Sequence, residues 1–265
     1  MEVGINNHLK KISSRLLIKP KSLTGINIAR SVDSISRNIQ TYFQEDVTHV
    51  MVFGSYSRDT LLPREYDSNS DVDILILFAS ENGKLKPESY RERLKKFASQ
   101  HYQHGKVVKD HPSIVVELDH INFDLVPGIF DEGVFYDSIE IPGKDNDWIE
   151  TNPQTFNKTL VEANTRCGSI LKPIIRVLKY WNASSGYPYS SFKLESMLAD
   201  FNYSGDNYQK AFFYAIDKLE TWNYPGIVNQ KVEALQKKAK YVKEFLDNDD
   251  LINAKRMLSK ILPGF

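Results

Sequence analysis

The sequence predicts an α+β chain, mixed strand and helix over residues 1–150 and nearly all helix over 151–265. Three observations carry this prediction. Short apolar runs of strand length alternate with helical patterns in the first half. Beyond about residue 150 every periodic segment has helical spacing. Between the halves, "IPGKDNDW" (141–148) is rich in turn residues and poor in apolar ones, so it reads as the seam.

The elements follow in order. Residues 25–44 place Ile26, Ile28, Val32, Ile35, Ile39 and Phe43 at helical spacing. "THVMVFG" (48–54) is an apolar run of strand length stopped by glycine. "DVDILILFA" (71–79) is a second strand, rich in Ile and Leu. Residues 86–102 read as a charged surface helix, with Pro87 early and Leu94 and Phe97 inward. "SIVVEL" (113–118) and "INFDLVPG" (121–128) are strands joined by Asp119-His120, a tight hairpin by spacing. Residues 152–185 form a long helical pattern with a break at Gly168 or Pro173. Further helices are expected over 190–203, 206–222, 227–248 and 249–262.

Bulk properties narrow the class. The chain has 265 residues, 41% hydrophobic and 26% charged, as in a globular protein with a real core. Lys+Arg and Asp+Glu both number 34, so bulk charge gives no support for nucleic-acid or membrane binding. Cys167 is the only cysteine, which excludes an intrachain disulfide and, with six scattered histidines, a zinc cluster. No apolar run approaches the ~20 residues that span a bilayer. The first twenty residues lack the continuous apolar core of a signal peptide. A cytoplasmic protein without a membrane partner is expected.

The informative stretch is "VMVFGSYSRDTLLPREYDSNSDVDILILF" (50–78). Asp71 and Asp73 head an otherwise apolar strand. With a period of two, their side chains share a face. Two close carboxylates repel unless a cation lies between them, and a hard divalent metal does this economically. Asp124, in "INFDLVP", is a third acid inside an apolar strand. Three carboxylates on neighbouring strands suit a two-metal site that clamps the attacking and leaving oxygens of a phosphoryl transfer. The bland alternative is a solvent-exposed strand start. Gly54-Ser55, at the end of the preceding strand, allows close backbone approach to a phosphate, or is an ordinary turn. The loop 57–70 reads equally as a lid or as a passive connection.

Taken together, Gly54-Ser55, Asp71-x-Asp73 and Asp124 resemble the signature of the DNA polymerase β-type nucleotidyltransferase superfamily. The fuller pattern "FGSYSRDT…DVDILILF…INFDLVP" resembles its branch of oligoadenylate synthases, cyclic GMP-AMP synthase and the bacterial cGAS/DncV-like (SMODS-type) nucleotidyltransferases. The likeness covers about residues 30–205. It implies a polymerase β-like nucleotidyltransferase core, a mixed sheet flanked by helices, over 1–150 and a helical domain over 151–265 that completes the nucleotide-binding cleft. Asp71, Asp73 and Asp124 would be the catalytic acids and the ligands of two Mg²⁺ or Mn²⁺ ions. Gly54 and Ser55 would bind phosphate. "LKPIIRVLKYWNASSGYPYSSFKLES" (171–196) is similar to that branch's helical element, which implies that Lys179 and Ser191 hold the nucleoside triphosphate and Phe192 stacks on a base. From the residues alone, Ile170, Ile174, Val177, Leu178 and Trp181 form a buried face, Lys172, Arg176 and Lys179 are solvated, and Ser190 or Ser191 caps the next helix.

The implied activity is template-independent joining of NTPs into a cyclic di- or oligonucleotide second messenger, with pyrophosphate released, of the bacterial antiphage signalling type. Two alternatives keep the fold. One adds nucleotides to an RNA 3′ end, as CCA-adding enzymes do, or AMP to a protein. The other is a catalytically silent nucleotide-binding module. Zero net charge argues against strong double-stranded nucleic-acid binding. A protein or RNA regulator remains open.

Overall fold

The computed structural model describes residues 4–79, 83–102, 106–110, 113–132, 137–143, 145–203, 205–221 and 224–265. Its elements run α1 (Ile5–Arg15), α2 (Leu23–Phe43), β1 (Val47–Phe53), α3 (Gly54–Ser57), β2 (Asp71–Phe78), α4 (Pro87–His101), β3 (Lys106–Asp110), β4 (Ser113–Glu117), β5 (Asn122–Glu132), β6 (Asp137–Pro142), β7 (Trp148–Thr151), α5 (Pro153–Arg166), α6 (Leu171–Ser184), α7 (Ser191–Ala199), α8 (Tyr208–Lys218), α9 (Gly226–Asp247) and α10 (Leu251–Leu258). They fall into two compact units. One holds Ile18–Arg64 and Asn69–Lys158; the other holds Met1–Leu17, Glu65–Ser68 and Thr159–Phe265.

The first unit is built on a mixed sheet in the order β1-β2-β5-β4-β3, with β6 beside β5 and β7 beside β6. Among the described residues only the β2–β5 pair is parallel. The apolar stripe of α2 (Ile28, Ile35, Ile39) and that of α4 (Leu94, Phe97) bury one face of this sheet. That face takes Val72, Ile74, Ile76 and Phe78 from β2, Ile114 and Val116 from β4, and Phe123 and Leu125 from β5. The alternation of a half-buried strand therefore sends Asp71, Asp73 and Asp124 to the other face. Farther along that face, Leu75, Leu77 and Val126 form a small second core with Met51, Phe53, Ile139 and Ile141.

Two local expectations change. The β4–β5 connection is four residues long, not two, and is closed by Leu118 N–H donating to the Ile121 carbonyl at 3.1 Å. The polar segment 141–148 joins β6 to β7 inside the α/β unit, where Pro142 pairs with Trp148 and Gly143 N–H donates to the Asp147 carbonyl at 2.8 Å. Its turn residues mark a strand connection, which has the same composition as a linker.

The helical unit is centred on α6. This helix is buried almost all round, including Arg176 and Lys179, so the solvated arrangement expected for them does not form. A helix enclosed on every side must bury its polar residues with partners. Arg176 Nε accordingly donates to the Ser13 carbonyl of α1 at 3.3 Å. The break in the long helical pattern falls between α5 and α6, where Gly168 and Ser169 both take positive φ (62° and 64°). Pro173 lies in the first turn of α6, where a missing N–H costs nothing. Among the described residues no helix is long and apolar enough to cross a membrane.

The loop 57–70 is a packed connection. Arg58, Thr60, Leu61 and Leu62 are buried, and Arg58 donates to Asn157 Oδ1 at 3.2 Å within the α/β unit. In the helical unit, Tyr66 stacks on Phe265 and accepts from Arg15, while Asp67 accepts from the Tyr187 hydroxyl. These anchors do not favour the lid reading.

Candidate active site

The site follows from strand register. Because β2 and β5 run parallel, paired residues project to the same face. Asp73 pairs with Asp124, and Asp71 pairs with Asn122. Strands in a sheet lie about 4.8 Å apart, so Asp73 and Asp124 stand side by side. On the other side of β2, Asp73 pairs with Phe53, the residue before the Gly54 turn. All three acids are half-buried. They occupy the strand starts, where the sheet face has not yet been covered by its second core.

Gly54 completes the approach to Asp73. It has φ +67°, and a Cβ there would stand 1.7 Å from Asp73 Oδ2. The glycine is required twice, by its backbone conformation and by the carboxylate occupying its side-chain space. Ser55 lies in the single turn of α3. Its carbonyl accepts from Thr60 N–H at 3.0 Å and Leu61 N–H at 3.1 Å, which folds the chain tightly after the glycine. Tyr56 follows. Burial first, then the charges of Asp33 and Asp59, raise its pKa above the usual tyrosine value, so its hydroxyl stays protonated at neutral pH.

The register also brings up residues that the sequence reading did not single out. On β4, Val115 pairs with Asp124 and Glu117 with Asn122, so Ser113, Val115 and Glu117 share the acids' face. Ser113 Oγ donates to Asp124 Oδ2 at 3.1 Å. Arg64 donates to Asn122 Oδ1 at 3.2 Å and to the Leu118 carbonyl at 3.3 Å, bringing a positive charge to the row that holds Asp71 and Glu117. The signal that finds Ser113, Glu117 and Asn122 is the pairing register, which needs the fold, whereas Arg64 belongs to the loop 57–70.

The donor set is all oxygen, hard and anionic. Among the described residues no group of three or more His, Cys, Asp and Glu side chains converges into a ready-made metal cage. Adjacent carboxylates with an incomplete protein shell still fit Mg²⁺. That ion dehydrates reluctantly and usually takes one or two carboxylates, with substrate phosphates completing its sphere. Mn²⁺ shares this preference for oxygen.

Lys179, Ser191 and Phe192 belong to the helical unit. Lys179 is 5% exposed, and its Nζ lies 2.9 Å from Oε1 of Glu195, which is 0% exposed. Ser190, not Ser191, caps α7, accepting from Lys193 N–H at 3.3 Å. Ser191 is the first helical residue, and Phe192 beside it is 58% exposed, unusual for a large ring.

The family described as the Second Messenger Oligonucleotide or Dinucleotide Synthetase domain matches residues 3–164. A probable cyclic nucleotide synthase of Bacillus cereus (strain VD146) is 27% identical over 137 residues, 49% of this chain and 41% of that protein. The chain thus spans less than half the length of this curated relative. Among solved structures, Bradyrhizobium diazoefficiens CdnG in complex with GTP superposes with TM-score 0.70 at 12% identity, covering 96% of this chain and 98% of that one. Escherichia coli MS115-1 CdnC with ATP gives 0.69 at 13% identity, over 98% and 96%. The Elizabethkingia meningoseptica CdnE cyclic dinucleotide synthase with GTP and Apcpp gives 0.63 at 19%, over 80% and 82%. These likenesses establish the polymerase β-like nucleotidyltransferase fold with its helical lobe.

Proposed function

This chain belongs to the Second Messenger Oligonucleotide or Dinucleotide Synthetase family, and from that premise we propose that it joins nucleoside triphosphates, without a template, into a cyclic di- or oligonucleotide second messenger. The observation that carries the proposal is the Asp73–Asp124 pair on parallel neighbouring strands, with Asp71 on the same face and the Gly54 turn against Asp73.

In this reading a hydroxyl of one nucleotide attacks the α-phosphate of another. The new P–O bond forms as the bond to pyrophosphate breaks, and the hydroxyl proton leaves. Asp71, Asp73 and Asp124 would hold the divalent ions. When bound, such ions neutralise charge building on the transferred phosphate and its leaving group. Asp124 accepts the proton of the attacking hydroxyl. Gly54 keeps side-chain bulk out of the space beside Asp73, and the Ser55 turn receives phosphate. By the same family reading Ser191 would meet the triphosphate and Phe192 a base, whereas Lys179, buried against Glu195, would reach a phosphate only by giving up that ion pair. Positioning and charge stabilisation carry most of the acceleration.

The test is to incubate the purified protein with each radiolabelled NTP, singly and mixed, with Mg²⁺ or Mn²⁺, digest with phosphatase and separate the products. A phosphatase-resistant product, absent with Asp71→Ala/Asp73→Ala, is expected. Label covalently attached to added RNA or protein, with no small phosphatase-resistant product, would overturn the proposal in favour of another acceptor.

A further inference from the structure

We propose that Ser113 is a positioning residue for Asp124, holding its carboxylate in the orientation that metal binding requires. The inference rests on the reading of Asp124 as a metal ligand and catalytic acid. Ser113 opens β4 and is 3% exposed. Its hydroxyl donates to Asp124 Oδ2 at 3.1 Å across the β4–β5 pair. The register makes this a diagonal contact, since Val115 lies opposite Asp124 and Ser113 is two residues before it on the same face.

Packing does not explain the hydroxyl. The next positions along β4 are Ile114, Val115 and Val116, the β-branched residues a sheet favours, with Ile114 and Val116 in the core. A buried position at the strand start accommodates an apolar side chain of similar size and would then carry no polar group to satisfy. A serine there has its hydroxyl buried, and the structure spends it on Asp124. The consequence is directional: a carboxylate on a strand has rotamer freedom, and a hydrogen bond from a buried neighbour on the adjacent strand removes part of it. Ligating carboxylates in metal sites are themselves hydrogen-bonded in this way, and loss of such a partner typically lowers metal affinity or activity by about 10–100-fold.

The experiment uses the full chain and three variants, Ser113→Ala, Ser113→Cys and Asp124→Asn. Mn²⁺ binding is followed by electron paramagnetic resonance in the presence of a non-hydrolysable triphosphate analogue, and kcat and KM for NTP are measured separately. Ser113→Ala should weaken Mn²⁺ binding about 10–100-fold and lower kcat, with KM for NTP nearly unchanged. Ser113→Cys keeps the side-chain shape with a somewhat larger atom and a weak donor, so it should lose Mn²⁺ affinity in the same direction. It also decides the matter if the alanine variant does not fold. Wild-type Mn²⁺ affinity in Ser113→Ala, or in Ser113→Cys alone, would overturn the proposal, the latter by showing that volume and not the hydrogen bond is what matters. Failure of the underlying reading looks different: Asp124→Asn would then bind Mn²⁺ as tightly as wild type, and the proposal would fall with it.

Discussion

A Cβ on Gly54 would stand 1.7 Å from one carboxylate oxygen of Asp73 and 2.6 Å from its Cγ, so the two residues share one volume. Gly54→Ala must therefore push the carboxylate aside and adopt a left-handed backbone at φ +67°. The backbone term costs about 1–2 kcal/mol. The displacement matters more, because misplacing a reacting group by ~1 Å can cost ~100-fold in rate. We expect product formation to fall by that order while the urea midpoint moves only modestly. Near-normal turnover in the alanine variant would remove Asp73 from the chemistry. Lys179 and Glu195 call for a different test, since both are buried and paired. Removing one partner of a buried ion pair leaves an uncompensated charge and costs about 3–5 kcal/mol, whereas replacing both with apolar residues is often neutral. Urea unfolding should show Lys179→Met strongly destabilised and Lys179→Met/Glu195→Leu largely recovered. Additive losses in the double variant would mean that the pair does not hold α6 to α7. The three acids stood out in the sequence because each lies at the head of, or inside, an apolar run of strand length. The burial of Lys179 was not, because a helix enclosed on all sides carries its lysines at the same spacing as a half-exposed one.

Elements were legible where their period was long and their ends were marked. The strand β2 and the helices α2 and α4 appear within one or two residues of the segments expected from sequence. Register is another matter. Ser113, Glu117 and Asn122 reach the acids only because β5 lies between β2 and β4 in one alignment, and no local pattern states it. The helix α1 went unread although its signal was present. Ile5, Leu9, Ile12 and Leu16 recur at intervals of four and three, a helical stripe, and all are essentially buried. This element also yields a pH prediction. On α1, burial first, then the charges of Lys255 and Lys11, lower the pKa of His8 from its ordinary value of 6.5. The unfolded chain therefore binds more protons at this residue than the folded one, and stability rises with pH in that window. The contribution of His8 is fully present above about pH 6.5 and falls as pH drops through the lowered value. Melting temperatures compared at pH 7.5 and 5.5 should show a larger acid loss in wild type than in His8→Gln. Equal losses would show that His8 titrates as it does in the unfolded chain.

At the scale of the whole molecule, the division of the chain in space does not follow its division in sequence. The helical unit draws in Met1–Leu17 and Glu65–Ser68 together with Thr159–Phe265. A composition shift near residue 150 can mark where helices begin, but it cannot say that a helix near the start of the chain packs among them, because that contact spans more than a hundred residues. The energetic weight of α1 is large. Fully burying an Ile or Leu side chain is worth roughly 1.5–3 kcal/mol, so four of them supply on the order of 6–12 kcal/mol. The net stability of a typical domain is only about 5–15 kcal/mol. Arg176 adds a polar tie, since its Nε donates to the Ser13 carbonyl of α1. A fragment spanning 151–265 should therefore lack α1's share of the core and unfold without a cooperative transition, keeping helical far-UV circular dichroism but losing near-UV signal. The same fragment with residues 1–17 attached through a flexible linker should regain a sigmoidal thermal transition. If the bare fragment melts cooperatively at the temperature of the linked one, α1 is an ornament on a self-sufficient helical domain, and the assignment of the first seventeen residues to that unit carries no energetic meaning.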